Sequence, residues 1–423
     1  MSAWRRRGQR GETVARMLLV CGGGGWTLGC TQVSGLSSLA ECEGEGCTEP
    51  LPSMDPDPNP DPDPRLGPLA EPVRVSAGRY TSCVTSDVDG RAFCWGLMPG
   101  DGSPASTTPV VVQGISRPLA TAHGFGHSCA LVVEGDVYCW GNNEVGQIGD
   151  GTNITRVFPT KVDSLSDVSK ISVGAYHTCA TTADGGQFCW GSNAYGQLGN
   201  GTFDDSARPT PVVGLDATTH FGAGAFHSCA VLSTPEIRCW GRNDHGQLGS
   251  DPGVVAVSAL PTAPSADFPP VERVYPGAVT TCARSANTRE LYCWGDNRFG
   301  QLGDGTTTSS YAPVLVPDFV RLGVLYPGLR HTCAWDNPMG DDQRGYCWGA
   351  NDHGQVGVTG DDQYPTPQAI FERSGELAAK NTEHTCYISR DDEVLCAGLN
   401  DVGQLGDGTT SSRAVFAAVL FPP

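Results

Sequence analysis

The stretch Cys129-Ala130-Leu131-Val132-Val133-Glu134-Gly135-Asp136-Val137-Tyr138-Cys139-Trp140-Gly141 decides the architecture of this chain. Two short apolar runs flank a turn centred on Glu134-Gly135, the pattern of a β-hairpin. With the turn midway, Cys129 falls opposite Cys139. Directly opposed residues in a non-hydrogen-bonded antiparallel pair have Cα atoms near 4.5 Å apart, which a disulfide can bridge. The same count serves Cys179 with Cys189, Cys229 with Cys239 and Cys386 with Cys396. Cys83 with Cys94 and Cys282 with Cys293 need one more loop residue, and Cys333 with Cys347 needs four.

The hairpin belongs to a repeat. Cys-Trp-Gly stands at 94–96, 139–141, 189–191, 239–241, 293–295 and 347–349, and a seventh copy, Cys396-Ala397-Gly398, lacks the Trp. A tail Asn-x-x-Gly-Gln-Leu-Gly follows, as in Asn193 to Gly199, with Ile148 and Val356 replacing Leu in two copies; the first unit is shortened after Gly96. Seven units of about 50 residues fill positions 72–423, a period that signals a propeller or solenoid. The Trp stripe is expected in the core, because wide indole rings suit the space between radially packed sheets. A Gly stands five residues before the first Cys of six units (Gly78, Gly124, Gly174, Gly224, Gly277, Gly328), with Asn381 in the seventh. Gly with Asn as its substitute is what a backbone position with positive φ selects, so a left-handed turn is expected at all seven.

The paired cysteines admit three readings: disulfides, free buried thiols or a metal site. Zinc knuckles need ligand pairs about two to four residues apart, which these are not. Disulfides are the preferred reading, each contributing roughly 2–3 kcal/mol in the chain-entropy model. His127, His177, His227, His331 and His384 stand two residues before a first Cys. They could ring a channel and bind metal. The favoured reading is that each imidazole hydrogen-bonds a local turn, because an active site needs one asymmetric constellation and not an equivalent group in every unit.

Hairpin, Trp-Gly and tail together resemble the regulator of chromosome condensation repeat family over residues 72–423. The echo of its Gly-His-x-Ser/Thr element at His127-Ser128, His177-Thr178, His227-Ser228, His331-Thr332 and His384-Thr385 strengthens the likeness. The resemblance implies an all-β fold: a seven-bladed β-propeller of four-stranded antiparallel blades around a central channel. The best-known eukaryotic member exchanges guanine nucleotide on the small GTPase Ran, so an exchange factor is one implied function. Other propellers resembling this family act only as binding rings, and fold by itself does not choose.

The N-terminal part is of another kind. Arg5, Arg6, Arg7, Arg10 and Arg16 precede a short apolar run from Met17 to Cys30, which reads as a signal peptide over 1–29. Gly29-Cys30 resembles a bacterial lipoprotein cleavage site, making Cys30 the expected lipid attachment; simple secretion is the alternative. Cys42 and Cys47 would close a small disulfide loop. Asp55-Pro56-Asp57-Pro58-Asn59-Pro60-Asp61-Pro62-Asp63-Pro64 favours extended polyproline II, so these ten residues are expected to form a semi-rigid spacer about 30 Å long, and not a calcium loop, within a disordered linker over 30–71.

Charge narrows the partners. The net charge is −19, and only three of the 27 basic residues are Lys. Nucleic acid, which demands Lys/Arg stripes, is not an expected partner. The chain carries no Gly-x-Ser-x-Gly and no His-Glu-x-x-His. Gly-Asp-Gly-Thr at 149–152 and 303–306 lacks the Lys of a phosphate loop. No catalytic residue, cofactor or metal site is therefore assigned, and a propeller hydrolase is the third reading after binding ring and exchange factor. The expectation is a monomeric, non-enzymatic ring at the bacterial cell envelope, meeting the membrane only through its lipid and presenting loops to a protein or glycan. Departures from the repeat are the candidate partner loops: the insertion Ser250 to Pro270, with Asp251 and Pro252, and the long hairpin tip with Met339, Asp341 and Asp342. If Cys30 is acylated, the parent protein will incorporate a labelled lipid precursor and fractionate with membranes, and Cys30→Ala will do neither; equal labelling of the two would remove the anchor.

Overall fold

Each hairpin forms with its cysteines face to face: Cys129 opposite Cys139, Cys282 opposite Cys293, Cys333 opposite Cys347. The computed structural model describes residues 74–86, 90–317, 319, 322–336, 344–372 and 376–422. All seven pairs are disulfide-bonded, with Cα atoms 4.0–4.2 Å apart. Every one of these sulfurs is fully buried. Bridges in such number mark an oxidising, extracytoplasmic compartment, since the cytosol keeps thiols reduced. Cys30, Cys42 and Cys47 lie outside the described residues.

The bridged strands are the middle pair of a four-stranded antiparallel sheet, and seven such sheets follow one another, each made of four consecutive strands. In blade 1 these are Arg74–Ala77, Thr81–Ser86, Arg91–Leu97 and Ala105–Val111. The first strand of each blade is the innermost. Those of the other blades are Pro118–His123, Val168–Val173, Thr218–Ala223, Val271–Pro276, Leu322–Pro327 and Leu377–Ala378. Neighbouring inner strands pack around a central axis, and that of blade 7 meets that of blade 1. The molecule is a seven-bladed β-propeller.

The core lies between blades. One cluster joins Leu131, Val137 and Ile148 of blade 2 to Val173, Ala180 and Trp190 of blade 3. The six Trp of the Cys-Trp-Gly repeats are fully buried, each removing roughly 200 Å² from water, worth about 4–6 kcal/mol as an upper estimate. Their indole N–H groups donate backwards to a carbonyl of the preceding blade: Trp190 to Gln147 at 3.0 Å, Trp240 to Gln197 at 3.0 Å, Trp294 to Gln247 at 3.1 Å and Trp348 to Gln301 at 3.0 Å. The shortened first unit offers Met98 O to Trp140 at 3.1 Å. In blade 7, where Ala397 replaces the Trp, Phe416 fills the space over Gly357. Ring closure uses the same device and no exchanged strand: Trp95 donates to Gln404 O at 2.9 Å.

The left-handed turn expected at seven equivalent positions is found at one, Asn381, with φ 55°. Gly78, Gly124, Gly174, Gly224, Gly277 and Gly328 do not have φ in that region. Space selects glycine there: a Cβ on Gly124 would stand 2.5 Å from the Gly174 carbonyl oxygen of the next blade and 2.5 Å from the His127 ring. Positive φ belongs instead to the Gly of Cys-Trp-Gly, from 90° at Gly96 to 114° at Gly398. Crowding and backbone strain can be told apart. Gly124→Ala should lower unfolding free energy by about 3 kcal/mol through overpacking. Gly214→Ala, at φ 74° with nothing within 4 Å of the new carbon, should cost only about 1–2 kcal/mol. Urea unfolding of the oxidised proteins, followed by Trp fluorescence, measures both, and equal losses would contradict the crowding account.

Candidate partner-binding face

The five repeat histidines do not bond their own turns; each reaches the next blade. His127 Nε2 meets Thr178 Oγ1 at 3.0 Å, His177 meets Ser228 at 3.1 Å, and His227 meets Thr281 at 2.8 Å. His331 meets Thr385 at 3.0 Å, and His384 meets Ser82 across the seam at 2.7 Å. Each hydroxyl donates its own proton to the same Gln carbonyl that takes the Trp N–H where a Trp is present: Thr178 to Gln147 at 3.0 Å, Ser228 to Gln197 at 3.1 Å, Thr281 to Gln247 at 2.7 Å. The hydroxyl oxygen therefore accepts from the imidazole, which fixes the proton on Nε2. The expectation of a local bond failed because spacing within one unit cannot show what the neighbouring unit offers. Blade 1 has Thr81 in place of His, and His123 substitutes there, bridging Ser76 at 3.0 Å and Ser128 at 2.8 Å. Burial pushes all five repeat imidazoles down to about 3.

The candidate loops fare unequally. Residues 250–270 are not a free insertion: they contain the outer strand of blade 4, Val257–Thr262, paired with the third strand at Cys239↔Thr262. Beyond it Phe268 packs edge-on against Trp294 at 4.7 Å. The extra residues of this unit are split between the two ends of that strand, which is why the sequence reads as one insertion. Asp251 closes the turn before the strand by accepting the Gly253 N–H at 2.8 Å, Pro252 is half-buried, and Val254 stands 82% exposed. Met339, Asp341 and Asp342 lie outside the described residues. Asp150 of Gly-Asp-Gly-Thr accepts the Thr152 N–H at 2.9 Å and pairs with Arg156 at 2.6 Å, a turn clasp. Among the described residues no three His, Cys, Asp or Glu side chains are placed to hold a metal ion.

A different surface stands out. Strands alternate in direction, so the turn after each inner strand and the Asn-x-x-Gly turn after each third strand emerge on one side of the ring. There Phe125 packs edge-on to Tyr176 at 5.6 Å and to Phe226 at 6.1 Å, and Tyr195 meets Phe226 at 5.8 Å, one aromatic cluster across blades 2 to 4. Arg79 lies over Phe125 at 4.9 Å and Tyr80 at 5.0 Å, and Arg242 over Tyr195 at 5.2 Å and Phe226 at 5.4 Å. Farther round, Arg330 lies over Phe299 at 5.0 Å and pairs with Asp352 at 2.9 Å and Glu383 at 2.8 Å. Beneath, successive turns are tied by backbone bonds, Phe125 N–H to Ala175 O at 3.0 Å and Ala175 N–H to Ala225 O at 2.9 Å, so the cluster sits on a rigid collar. Sequence reading passed over these residues because most occupy the variable x positions of Gly-x-x-His/Thr and Asn-x-x-Gly, and Arg242 the variable position just before Asn243. Tabulating those positions across the units would have shown the aromatic and arginine bias.

Residues 16–320 match the family model of the RCC1-like domain, and the chain belongs to that family. Human E3 ubiquitin-protein ligase HERC2 is 30% identical over 140 residues, which is 32% of this chain but 3% of HERC2. The ultraviolet-B receptor UVR8 of Arabidopsis thaliana is 30% identical over 144 residues, 33% of this chain and 32% of the receptor. The chain thus matches a third or less of the length of these curated relatives. Yeast RCC1 (Prp20), in its complex with Kap60, superposes with a TM-score of 0.68 at 18% identity, covering 83% of this chain and 85% of that one. Human WBSCR16 gives 0.65 at 21% identity, covering 76% of this chain and 86% of that one. Both show the shared fold.

The histidine relay carries a pH dependence of defined sign. An imidazole with a folded pKa near 3 and an ordinary unfolded value of about 6.5 is neutral in the folded ring, while the unfolded chain takes up a proton first. Stability is therefore complete above about pH 6.5 and is lost as pH falls toward 3, by up to about 1.4 kcal/mol per unit for each such histidine. His227→Gln removes one titrating group and keeps an N–H donor. Its unfolding free energy should fall less steeply between pH 6 and 4, by about one proton, and an unchanged slope would refute the assignment.

Proposed function

We propose that this chain is a non-enzymatic binding propeller, held at a bacterial cell envelope by a lipid on Cys30 and the Pro-Asp spacer, whose aromatic–arginine face grips a protein partner. The observation that carries the reading is the continuous cluster of Phe125, Tyr176, Tyr195 and Phe226 stacked with Arg79 and Arg242. Tyr and Arg dominate the energetic centres of protein interfaces, and rings held by a rigid collar lose little freedom on binding. Tyr176 is 40% exposed, so part of the cluster faces solvent. Family membership supports a recognition role, and the leader and the seven bridges support a place outside the cytoplasm. A guanine-nucleotide exchange factor is the less supported reading, because it meets its nucleotide in the reducing cytoplasm. A hydrolase is less supported again, since the repeat histidines are all committed to blade junctions. Stacked aromatic rings also suit a glycan, which the experiment separates. Capture from envelope extract by the mature domain should return a protein, and Tyr176→Ala combined with Arg242→Ala should weaken its retention at least about tenfold, with all bridges intact. Retention by the double variant equal to the parent, or saturable binding to a glycan array alone, would overturn the protein-partner reading.

A further inference from the structure

The lumen of the ring reverses the charge of the molecule. Of the three Lys in a chain of net charge −19, two, Lys170 and Lys380, line it. A cavity of about 830 Å³ is walled by inner-strand residues that include Arg74, Lys170, Ser172, His220, Glu272 and Arg273. An adjoining recess of about 200 Å³ shares Arg74 and adds Glu376 and Lys380. Four cations thus face two acids, and one of those acids is already committed: Glu272 is bound by Arg284 through two bonds, at 2.9 and 3.1 Å. Arg74, Lys170, Arg273 and Lys380 have no ion-pair partner among the described residues.

The hydrogen-bond inventory sharpens the picture around Ser172. Lys170 and Ser172 are two residues apart on the inner strand of blade 3, so both point to the same face. Ser172 Oγ accepts the Ala223 N–H at 2.9 Å and the Lys380 ammonium at 2.9 Å. With both lone pairs occupied, its own proton has no acceptor among the described residues. Close by, the His220 and Tyr275 rings lie 6.0 Å apart, and His220 Nδ1 and the Tyr275 hydroxyl are both buried without a partner. Burial first, and then the fields of Lys170, Arg273, Lys380 and Arg284, hold His220 down to about 4, so these cations converge on one place. Burial draws Lys380 from its usual 10.5 to about 8, which leaves it charged at neutral pH and short of counter-charge.

We infer that the lumen is a binding site for a small polyanion, a ligand carrying phosphate or carboxylate groups, received by the Ser172 hydroxyl, the Lys380 ammonium, Lys170 and Arg273. Charge-assisted bonds to oxyanions are the strong ones, and a guanidinium fork suits their planar oxygen pairs. Low-dielectric walls focus the field into the lumen, so an anion is drawn inward although the molecule as a whole repels it.

The probes are inorganic pyrophosphate and citrate, titrated calorimetrically into the oxidised full chain at physiological salt. The expected result is saturable one-to-one binding of at least one of them, weakened tenfold or more in Lys380→Met and several-fold in Ser172→Ala. Lys161→Met should bind as the parent does, because Lys161 lies on the outer strand of blade 2 and pairs with Asp136. Binding of pyrophosphate alone assigns a phosphate-bearing ligand, and binding of both assigns oxyanions in general. If Lys380→Met does not fold, Lys170→Met, at an exposed position, carries the same expectation. No saturable heat with either probe, or undiminished affinity in the lumen variants, overturns the site.

Discussion

One main-chain oxygen in each blade junction bears on the rest of the structure. The carbonyl of Gln147, Gln197, Gln247 or Gln301 receives an indole N–H and a hydroxyl O–H from the following blade. The hydroxyl in turn accepts an imidazole N–H at four of the six junctions between successive blades and again at the seam. A buried acceptor left empty costs more than a filled one contributes, so loss of any member exposes the others to that penalty. The glycine collar follows from the same node: imidazoles seated this deeply leave no room for a Cβ on the turn beside them. Two units dispense with the histidine, and His123 repairs one of those places from a different position in sequence.

Disulfides and junctions do separate work. Each bridge joins the two middle strands of one blade and restrains only a short loop of the unfolded chain. No disulfide joins one blade to the next among the described residues, so beyond the chain's own connections the ring is held by packing and hydrogen bonds between units that are individually stapled. This is how a repeat array without an exchanged strand can close: Trp95, Ser82, His384 and Gln404 at the seam repeat what every other junction does.

The two surfaces with functional character differ in kind. The turn face is aromatic and its arginines are stacked or paired, which suits a large, rigid partner of mixed polarity. The lumen is polar and carries an excess of cations over acids, which suits something small and anionic. They draw on different strands and turns, so occupation of one leaves the residues of the other untouched.

Much of the fold was legible in the chain because a repeat states its constraints several times over. The Cys spacing gave the hairpins and their register, and the Trp repeated in six of the seven units gave the interblade core, since both are local to one unit. What pairs across units was not legible: the partner of His127 is Thr178, in the next unit, and no spacing within a unit points to it. The glycines were recognised as special for the wrong reason, because crowding and positive φ select the same residue. The aromatic face sat in positions that the repeat leaves free, where only superposition of the units makes Tyr176, Tyr195 and Phe226 neighbours. The lumen was the least legible of all, as Lys170, Arg273 and Lys380 are far apart in sequence and meet only when the inner strands close around the axis. Sequence by itself determined the repeat, the bridges and the number of blades, because each is a short-range constraint; tertiary structure decided the faces and the sign of the charge within, because those are sums over residues that only ring closure brings together.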